Sequence, residues 1–561
     1  MSENRTGAQI LVDCLQVQNV EHIFLVPGES YLSVLDALVD APEIKLTVCR
    51  QEGGAAMMAD AHGKLTGRPG ICMVTRGPGA TNASAGLHVA FQDQTPMILF
   101  VGQVARDMRE REAFQEIDYR KMFGEVAKWV AEIDKPERIP ELVSRAFHVA
   151  CSGRPGPVVL ALPEDMLTDL CAPVPALPAV TVPKSDIAQD DFEMLIVLLE
   201  NASNPLIVVG GGPWNQSAKN ALEEFSSKWS IPVAASFRCQ DFFDNIHPNY
   251  AGDVGIGVNP KLAERVKNTD LLILLGTRFG EMESSGYSLI DIPKPRQKLV
   301  HIFPDPSEIG RVYFATLGVP ASPTIVVQRL NQRQPSNIST KQAENTAMAN
   351  IEYKEWSTLP EGIGDVQMPD VMRSIDSLMP ADTIVTNGAG NYTVWVHRFY
   401  RFTRFRSQLA PISGSMGYGL PAAVAAARIS PDRPVICFAG DGCFLMHGQE
   451  LATARKYNLN LIILIVNNGM YGTIRMHQER HYPDRVSATE LTNPNFGALA
   501  RAYGCHGEVV KNSSEFTDAL KRAMEVNGPA LIELPIDPEA LTPQKTLSDI
   551  RNDGRKLIAV R

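Results

Sequence analysis

Cysteine is sparse and unpaired: nine are scattered over 561 residues, with no CxxC pair and an odd total. That excludes a disulfide framework and a zinc site of the usual spacing, so the thiols are expected to be reduced and mostly buried. Long apolar runs are also missing. Clean runs such as 461–466 are far short of the roughly 20 residues that a membrane span needs. The opening MSENRTGAQ lacks a signal-peptide core, so a cytoplasmic protein without a membrane partner is expected. Positive charge is in deficit, with Lys+Arg 53 against Asp+Glu 63 and a net charge of −10. The average field repels polyanions, nucleic acid is not an expected partner, and any phosphate site must be local. Compositional bias is lacking too: apolar residues are 44%, charged residues 21%, Gly 42 and Pro 39, which excludes a disordered, collagenous or coiled-coil chain.

What is present is length and rhythm. At roughly 150 residues per domain, a chain of 561 residues divides into three or four separate cores. Thr6 and Gln9 form a capping-box pair ahead of apolar Ile10, Leu11, Cys14 and Leu15, and a strand-like run at 22–26 is closed by Pro27-Gly28. Further strand-like runs at 44–49, 71–74 and 97–101 alternate with helical patterns, which means right-handed βαβ units and a parallel sheet. The rhythm fades in the proline-rich CAPVPALPAVTVPK and resumes at 206–209, entering Gly210-Gly211-Gly212, then at 233–235, 271–275 and 299–303. After a polar stretch, 331–345, a third series follows at 383–386, 435–438, 461–466 and 530–534. The expected fold is α/β, with three doubly wound parallel-sheet domains over 1–170, 188–332 and 360–545.

The most informative segment runs from Pro434 to Gly472. Its first strand ends in Gly440-Asp441-Gly442, a helix is expected over 449–457, and its second strand ends in Asn467-Asn468. If the two strands are neighbours, Asp441 and Asn468, 27 residues apart, lie side by side beyond the carboxyl ends, where open α/β sheets bind ligands. A carboxylate, an amide oxygen and a nearby backbone carbonyl suit Mg²⁺, which completes its shell with phosphate oxygens and water. The flanking glycines let backbone N–H groups approach a diphosphate. Either tripeptide alone is most simply a turn. Their pairing at the ends of two apolar strands points to a site.

GDG followed 27 residues later by the second Asn of NN resembles the thiamine diphosphate fingerprint, and the whole chain resembles the superfamily of acetolactate synthases and 2-oxoacid decarboxylases. GDGCFLMHGQELATARKYNL, GSMGYGLPAA, RGPGATN, Phe114-Gln115-Glu116 and VEHIFLVPG are especially close to acetolactate synthase large chains. The resemblance implies a pyrimidine-binding first domain, a central domain and a diphosphate-binding third domain. It implies that Asp441, Asn468 and the carbonyl of Met470 hold Mg²⁺. Gly440, Gly442 and Cys443 contact the diphosphate, as do Ala389, Gly390 and Asn391 of NGAGN, with Tyr471 and Gly472 completing the cofactor set. Met416 in GSMG stands where the family has the wedge between the cofactor's two rings, although filling a core gap is the commoner fate of a methionine. Glu52, by position alone a first-turn acid favoured by the helix dipole, matches the glutamate that binds the pyrimidine nitrogen, promotes the imino tautomer and so activates the cofactor. Such a group needs a dry site and a raised proton affinity.

The implied substrate is a small 2-oxo acid that loses CO₂, with the cofactor accepting the electrons. Protonation of the resulting enamine makes an aldehyde; attack on a second carbonyl makes a ligase. Decarboxylation with ligation is the expectation, and a non-ligating decarboxylase or a catalytically silent paralogue are the alternatives. Glu52 and the metal motif lie in different domains, which in this family come from different subunits, so a homodimer at least, and a homotetramer of two such dimers, is implied.

The departures from the synthases cluster around the substrate pocket. Gln51 replaces the usual His, Arg76 the usual Ser, and Thr473 and His477 the usual Met and Trp. Arg76 and His477 are candidates for fixing a substrate carboxylate or moving a proton, with surface roles as the alternative. Gln115 and Lys128 match pocket-lining positions, and the lack of any His-His pair weighs against the pyruvate decarboxylase type. Many synthases hold a non-catalytic FAD. VVGGGPWNQSA is retained here, but LGTRFGEMESSGYSL replaces the usual Arg-Phe-Asp-Asp-Arg stretch, so FAD is not expected. The role of the tail, TPQKTLSDIRNDGRKLIAVR, is left open.

Overall fold

A computed structural model describes residues 4–559. Three six-stranded parallel sheets follow one another along the chain. Spatial order in the first is Lys45–Val48, His22–Leu25, Gly70–Val74, Met97–Gln103, Pro157–Pro163, Trp129–Glu132. In the second it is Tyr250–Asp253, Val233–Ala235, Pro205–Val209, Leu271–Leu275, Lys298–Ile302, Leu317–Val319. In the third it is Gln408–Leu409, Ile384–Asn387, Val435–Gly440, Leu461–Asn467, Pro529–Pro535, His506–Val509. Helices cover both faces of each sheet, so interior strands such as Gly70–Val74 and Leu271–Leu275 are buried at every residue and read as unbroken apolar runs. The α/β, doubly wound expectation holds. In the first and third sheets the chain runs outward in opposite directions from the first and third strands of each series, which places a crevice at that switch point.

The capping box forms: Gln9 N donates to Thr6 Oγ1 at 3.2 Å and Thr6 N to Gln9 Oε1 at 3.1 Å. All nine cysteines are free, and all but half-buried Cys151 are buried. Among the described residues no helix is long and apolar enough to cross a membrane.

The structure differs from the sequence reading in three places. Each sheet has two strands more than the rhythm revealed. Five of the six are short edge strands of two to four residues, while the sixth, Pro157–Pro163, carries proline at both ends. The polar stretch 331–345 is linker only as far as Ser339, which caps the helix Thr340–Trp356. Gln342 and Asn350 on that helix donate to the carbonyls of Trp229 and Tyr250 at 2.8 and 2.9 Å, so its polar residues are buried bonders. The helix expected over 449–457 begins at once as Asp441–His447 and continues through the turn Gly448–Glu450 into Leu451–Lys456.

The first and third domains of one chain pack directly on each other. Helix Glu52–Thr66 lies against Gly419–Ile429. Lys64 pairs with Asp60 and Asp93 at 2.8 and 2.6 Å, and Asp93 also accepts from the N–H groups of Ile412 and Ser413. Buried charges at this junction are thus paired and hydrogen-bonded, the condition under which they are tolerated.

Candidate active site

Strands Val435–Gly440 and Leu461–Asn467 pair in parallel, with Gly440 opposite Val466, so their carboxyl ends release Asp441 and Asn468 side by side. Asp441 is buried and densely held. Its Oδ1 accepts from Gly442 N at 2.9 Å, and its Oδ2 from Gly469 N at 2.9 Å and Asn493 Nδ2 at 2.7 Å. Burial pushes its carboxyl up, against the pull of those three donors. Asn468 Oδ1 accepts from Met470 N at 3.2 Å. A carboxylate has about four acceptor positions and an amide oxygen two, so each group retains one, and Asn493 Oδ1 is buried with no partner at all. This all-oxygen set fits a hard divalent cation such as Mg²⁺.

A cavity of about 250 Å³ opens there, lined by Ala389, Gly390 and Asn391 on one side, Met416 on another, and Gly440–Cys443 and Met470–Gly472 around the floor. The loop after Ile384–Asn387 and the turn after Val435–Gly440 flank the switch point, so the fold itself brings NGAGN to GDG. A Cβ on Gly442 would sit 2.7 Å from the Tyr471 ring, which only glycine avoids. Cys443 Sγ accepts from Tyr392 Oη and Gly417 N, both at 3.2 Å, which ties the Met416 loop to the helix Asp441–His447. Thr473 Oγ1 donates to Asn391 Oδ1 at 2.8 Å, joining the two loops across the cavity. Asn493, Tyr392 and Leu541 were not singled out from sequence, because none belongs to a spaced motif; all three touch the site.

Glu52 stands elsewhere. It opens the helix Glu52–Thr66, is half-buried, and its Oε2 accepts from Asn82 Nδ2 at 2.9 Å. None of the residues lining the 250 Å³ cavity comes from the first domain of the same chain. Gln115 has a positive φ of 66° and packs on Gly77 at the same end of the first sheet, so it shares Glu52's rim. Arg76 reaches that rim, where its Nε donates to the Phe114 carbonyl at 3.2 Å and NH1 to Glu164 Oε2 at 2.7 Å. These contacts tie Arg76 to the Phe114–Gln115 loop. His477 stands apart from the cavity of its own chain. It lies on the exposed side of helix Gly472–His481, stacked on His481 with ring centroids 6.2 Å apart, and does not line the cavity, unlike Thr473 one turn earlier. Lys128 precedes Trp129–Glu132, at the opposite end of the sheet, and donates to the carbonyls of Val149 and Ser152; burial lowers it to about 8.

The tail has a place. Leu541, Leu547 and Ile550 cluster with Met476, Leu541 lines the cavity, and helix Leu547–Ala559 packs on Gly472–His481. Arg551 NH2 pairs with buried Glu479 at 3.0 Å, alongside Arg475 at 2.9 Å. A larger cavity of about 980 Å³ lies where the three domains meet, lined among others by Lys64, Trp214, Arg238 and Arg406; it contains none of the predicted site residues.

Comparison with known proteins agrees with this layout. Residues 5–122 match the model of the thiamine pyrophosphate enzyme N-terminal TPP binding domain, 193–330 that of the central domain, and 388–534 that of the C-terminal TPP binding domain. The acetolactate synthase isozyme 2 large subunit of Escherichia coli (strain K12) is 32% identical over 536 residues, spanning 95% of each chain. A probable acetolactate synthase large subunit of Methanocaldococcus jannaschii is 32% identical, covering 96% of this chain and 93% of its own. The acetolactate synthase large subunit of Corynebacterium glutamicum is 31% identical, covering 96% and 88%.

Proposed function

The chain belongs to the thiamine pyrophosphate enzyme family, and we propose that it is a carboligase of the acetolactate synthase kind, which decarboxylates a 2-oxo acid and transfers the acyl carbanion equivalent to a carbonyl acceptor. The observation that carries this is the single cavity in which NGAGN, Met416, GDG and NNGMYG converge. Bound thiamine diphosphate supplies a thiazolium that takes up the electron pair left when CO₂ departs. Asp441, Asn468 and the Met470 carbonyl would hold Mg²⁺ at the diphosphate end, with Gly440, Gly442, Cys443, Ala389, Gly390, Asn391, Tyr471 and Gly472 around it. Met416 forms the wall against which the coenzyme would bend. Leu541 and Ile474 add apolar surface to the cavity lining. Glu52 is the group that would hold a proton for the pyrimidine nitrogen, and Gln115, on the same rim, would contact the acceptor.

Within one chain Glu52 is half-exposed and the cavity is built from the third domain alone. A second copy, placing its first domain over this cavity, would complete the site and dry the carboxylate. Phe114, Leu445, Met446 and Ile474, 71%, 44%, 45% and 55% exposed, are apolar surface that such an interface would cover. The assembly is therefore read as a cytoplasmic homodimer, or a homotetramer of two such dimers.

The central domain is read as free of flavin. Ser236 Cβ lies 2.3 Å from where a Cβ on Gly210 would be, and Ser236 Oγ donates to Glu283 Oε1 at 3.1 Å. A carboxylate thus sits beside the glycine turn, the wrong sign for a dinucleotide's diphosphate. A visible-absorption spectrum of the purified protein is expected to show no flavin band.

Incubation with pyruvate, thiamine diphosphate and Mg²⁺, followed by NMR of the products, tests the main reading. Acetolactate is expected; acetaldehyde alone would replace ligation with simple decarboxylation, and no turnover of any 2-oxo acid would leave a silent paralogue.

A further inference from the structure

Glu450 is fully buried, yet it takes no part in the chemistry just described. Its Oε1 accepts from the N–H groups of Arg50 and Gln51, both at 3.0 Å, and its Oε2 from Thr453 Oγ1 at 2.6 Å. Those two N–H groups belong to the turn immediately before Glu52. Gln51 in turn caps the helix that Glu52 opens, its Oε1 accepting from Gly54 N at 2.9 Å. Contact with the helix is close: a Cβ at Gly54 would lie 3.0 Å from Glu450 Oε1, and one at Gly53 3.1 Å from His447 Nε2. A buried carboxylate anchored at three points thus fixes the turn that aims Glu52.

Glu450 closes the run that Asp441 begins. Asp441–His447 and Gly448–Glu450 form one short strut, with the candidate metal ligand at its first residue. Partway along, the His447 ring meets the carbonyl of Gly417, next to Met416, at 3.1 Å. One end of the strut lies in the cavity of its own chain, and the other grips the Glu52 turn of the same chain, which contributes no residue to that cavity's lining.

We propose that Glu450 is a positioning residue that holds Glu52 for the neighbouring active site, so that the strut 441–450 mechanically joins the two sites of a dimer. This rests on the two-chain site proposed above. If each site combines one chain's third domain with the other chain's first domain, the strut runs from the metal end of one site to the glutamate of the other. Ordering at the first cavity is then felt at Glu52 of the second, through rigid elements rather than through solvent.

Dimers carrying two different affinity tags test this. In a trans pair, one chain carries Glu52→Gln and the other Glu450→Ala; the only intact Glu52 is on the Glu450→Ala chain. In a cis pair, one chain carries both substitutions and the other is wild type. Relative to a Glu52→Gln/wild-type dimer, the trans pair is expected to lose about tenfold in turnover, the loss of a buried hydrogen-bond anchor, while the cis pair keeps its turnover within about twofold. Equal losses in both pairs, or no loss in trans, would overturn the proposal. A third pair, Glu52→Gln with Asp441→Asn, regains one intact site only if sites are shared. If it stays inactive, the two-chain reading falls and the coupling with it; if it is active, the cis and trans arms judge Glu450 alone. Hydrogen exchange in the cofactor-free protein gives a readout independent of turnover: the amides of Arg50 and Gln51 should exchange about tenfold faster in Glu450→Ala. Glu450→Gln, which keeps shape and one acceptor, serves if the alanine variant does not fold, and should move the same amides less. Unchanged exchange in both variants would contradict the anchoring.

Discussion

The first and third sheets share one strand order, yet they end differently. At the carboxyl end of the third, four loops converge on a cavity, a buried acid is held by three donors, and the tail closes the rim. At the carboxyl end of the first, a half-buried glutamate and a glutamine loop stand on an open rim with apolar neighbours exposed. One topology has been fitted out as a cradle and as the cover for another cradle. The difference teaches that a switch-point crevice is only an opportunity; side chains in the loops decide whether it grips a ligand or completes a site built elsewhere.

That contrast predicts different failures for equivalent lesions. Glu52→Gln should lower kcat by about 10²–10⁴-fold, the usual range for a lost proton-transfer group, while the cofactor's Kd moves only a few-fold; steady-state rates and calorimetry measure the two. Asp441→Asn should do the reverse, weakening joint binding of Mg²⁺ and thiamine diphosphate at least about a hundredfold, since it removes the one charge of a buried site. If both variants failed in binding alone, the cradle-and-cover distinction would be lost.

Much of the cradle was legible because its signals are local. Two strands of continuous apolar residues ending in GDG and NN fix Asp441 and Asn468 relative to each other once the strands pair. What was not legible depends on partners far away in sequence. Arg76 meets Glu164, 88 residues on, and no pattern around Arg76 announces that. Asn493 reaches Asp441 across 52 residues from an irregular segment. His477 was placed by analogy of position, and the helix rotates it to solvent, while Thr473 is rotated in. Edge strands such as Gln408–Leu409 lack the apolar length that exposes interior ones.

Asn493→Ala sharpens the comparison from inside the cradle. Supporting partners of a metal ligand typically contribute 10–100-fold to affinity, so Mg²⁺ titration should show about that weakening with turnover at saturating Mg²⁺ nearly intact; an unchanged titration would demote Asn493 to packing.

The smallest effect concerns the tail that packs beside the third domain's cavity. Burial would lift Glu479, but Arg551, the Asp484 N–H and Arg475 outweigh it and hold its carboxyl below the ordinary range. A carboxylate lowered in the folded state stabilises the latch above its unfolded value, near 4.5, and that contribution is lost as pH falls through the lowered value. Proteolysis of the tail should therefore accelerate only as pH falls below that unfolded value in the wild type. Arg551→Ala should bring a few-fold acceleration already at pH 7, the scale of one charged pair near the surface. A tail equally resistant in the variant would mean that the apolar cluster of Leu541, Leu547 and Ile550 closes the mouth unaided.

A crystal structure of the assembled protein with thiamine diphosphate and Mg²⁺ tests the account most directly. The cation should bridge Asp441, Asn468 and the Met470 carbonyl to the diphosphate, with the carboxylate of Glu52 from a second copy within hydrogen-bond distance of the pyrimidine. A cofactor bound away from Asp441, or one whose pyrimidine meets no Glu52, would contradict it.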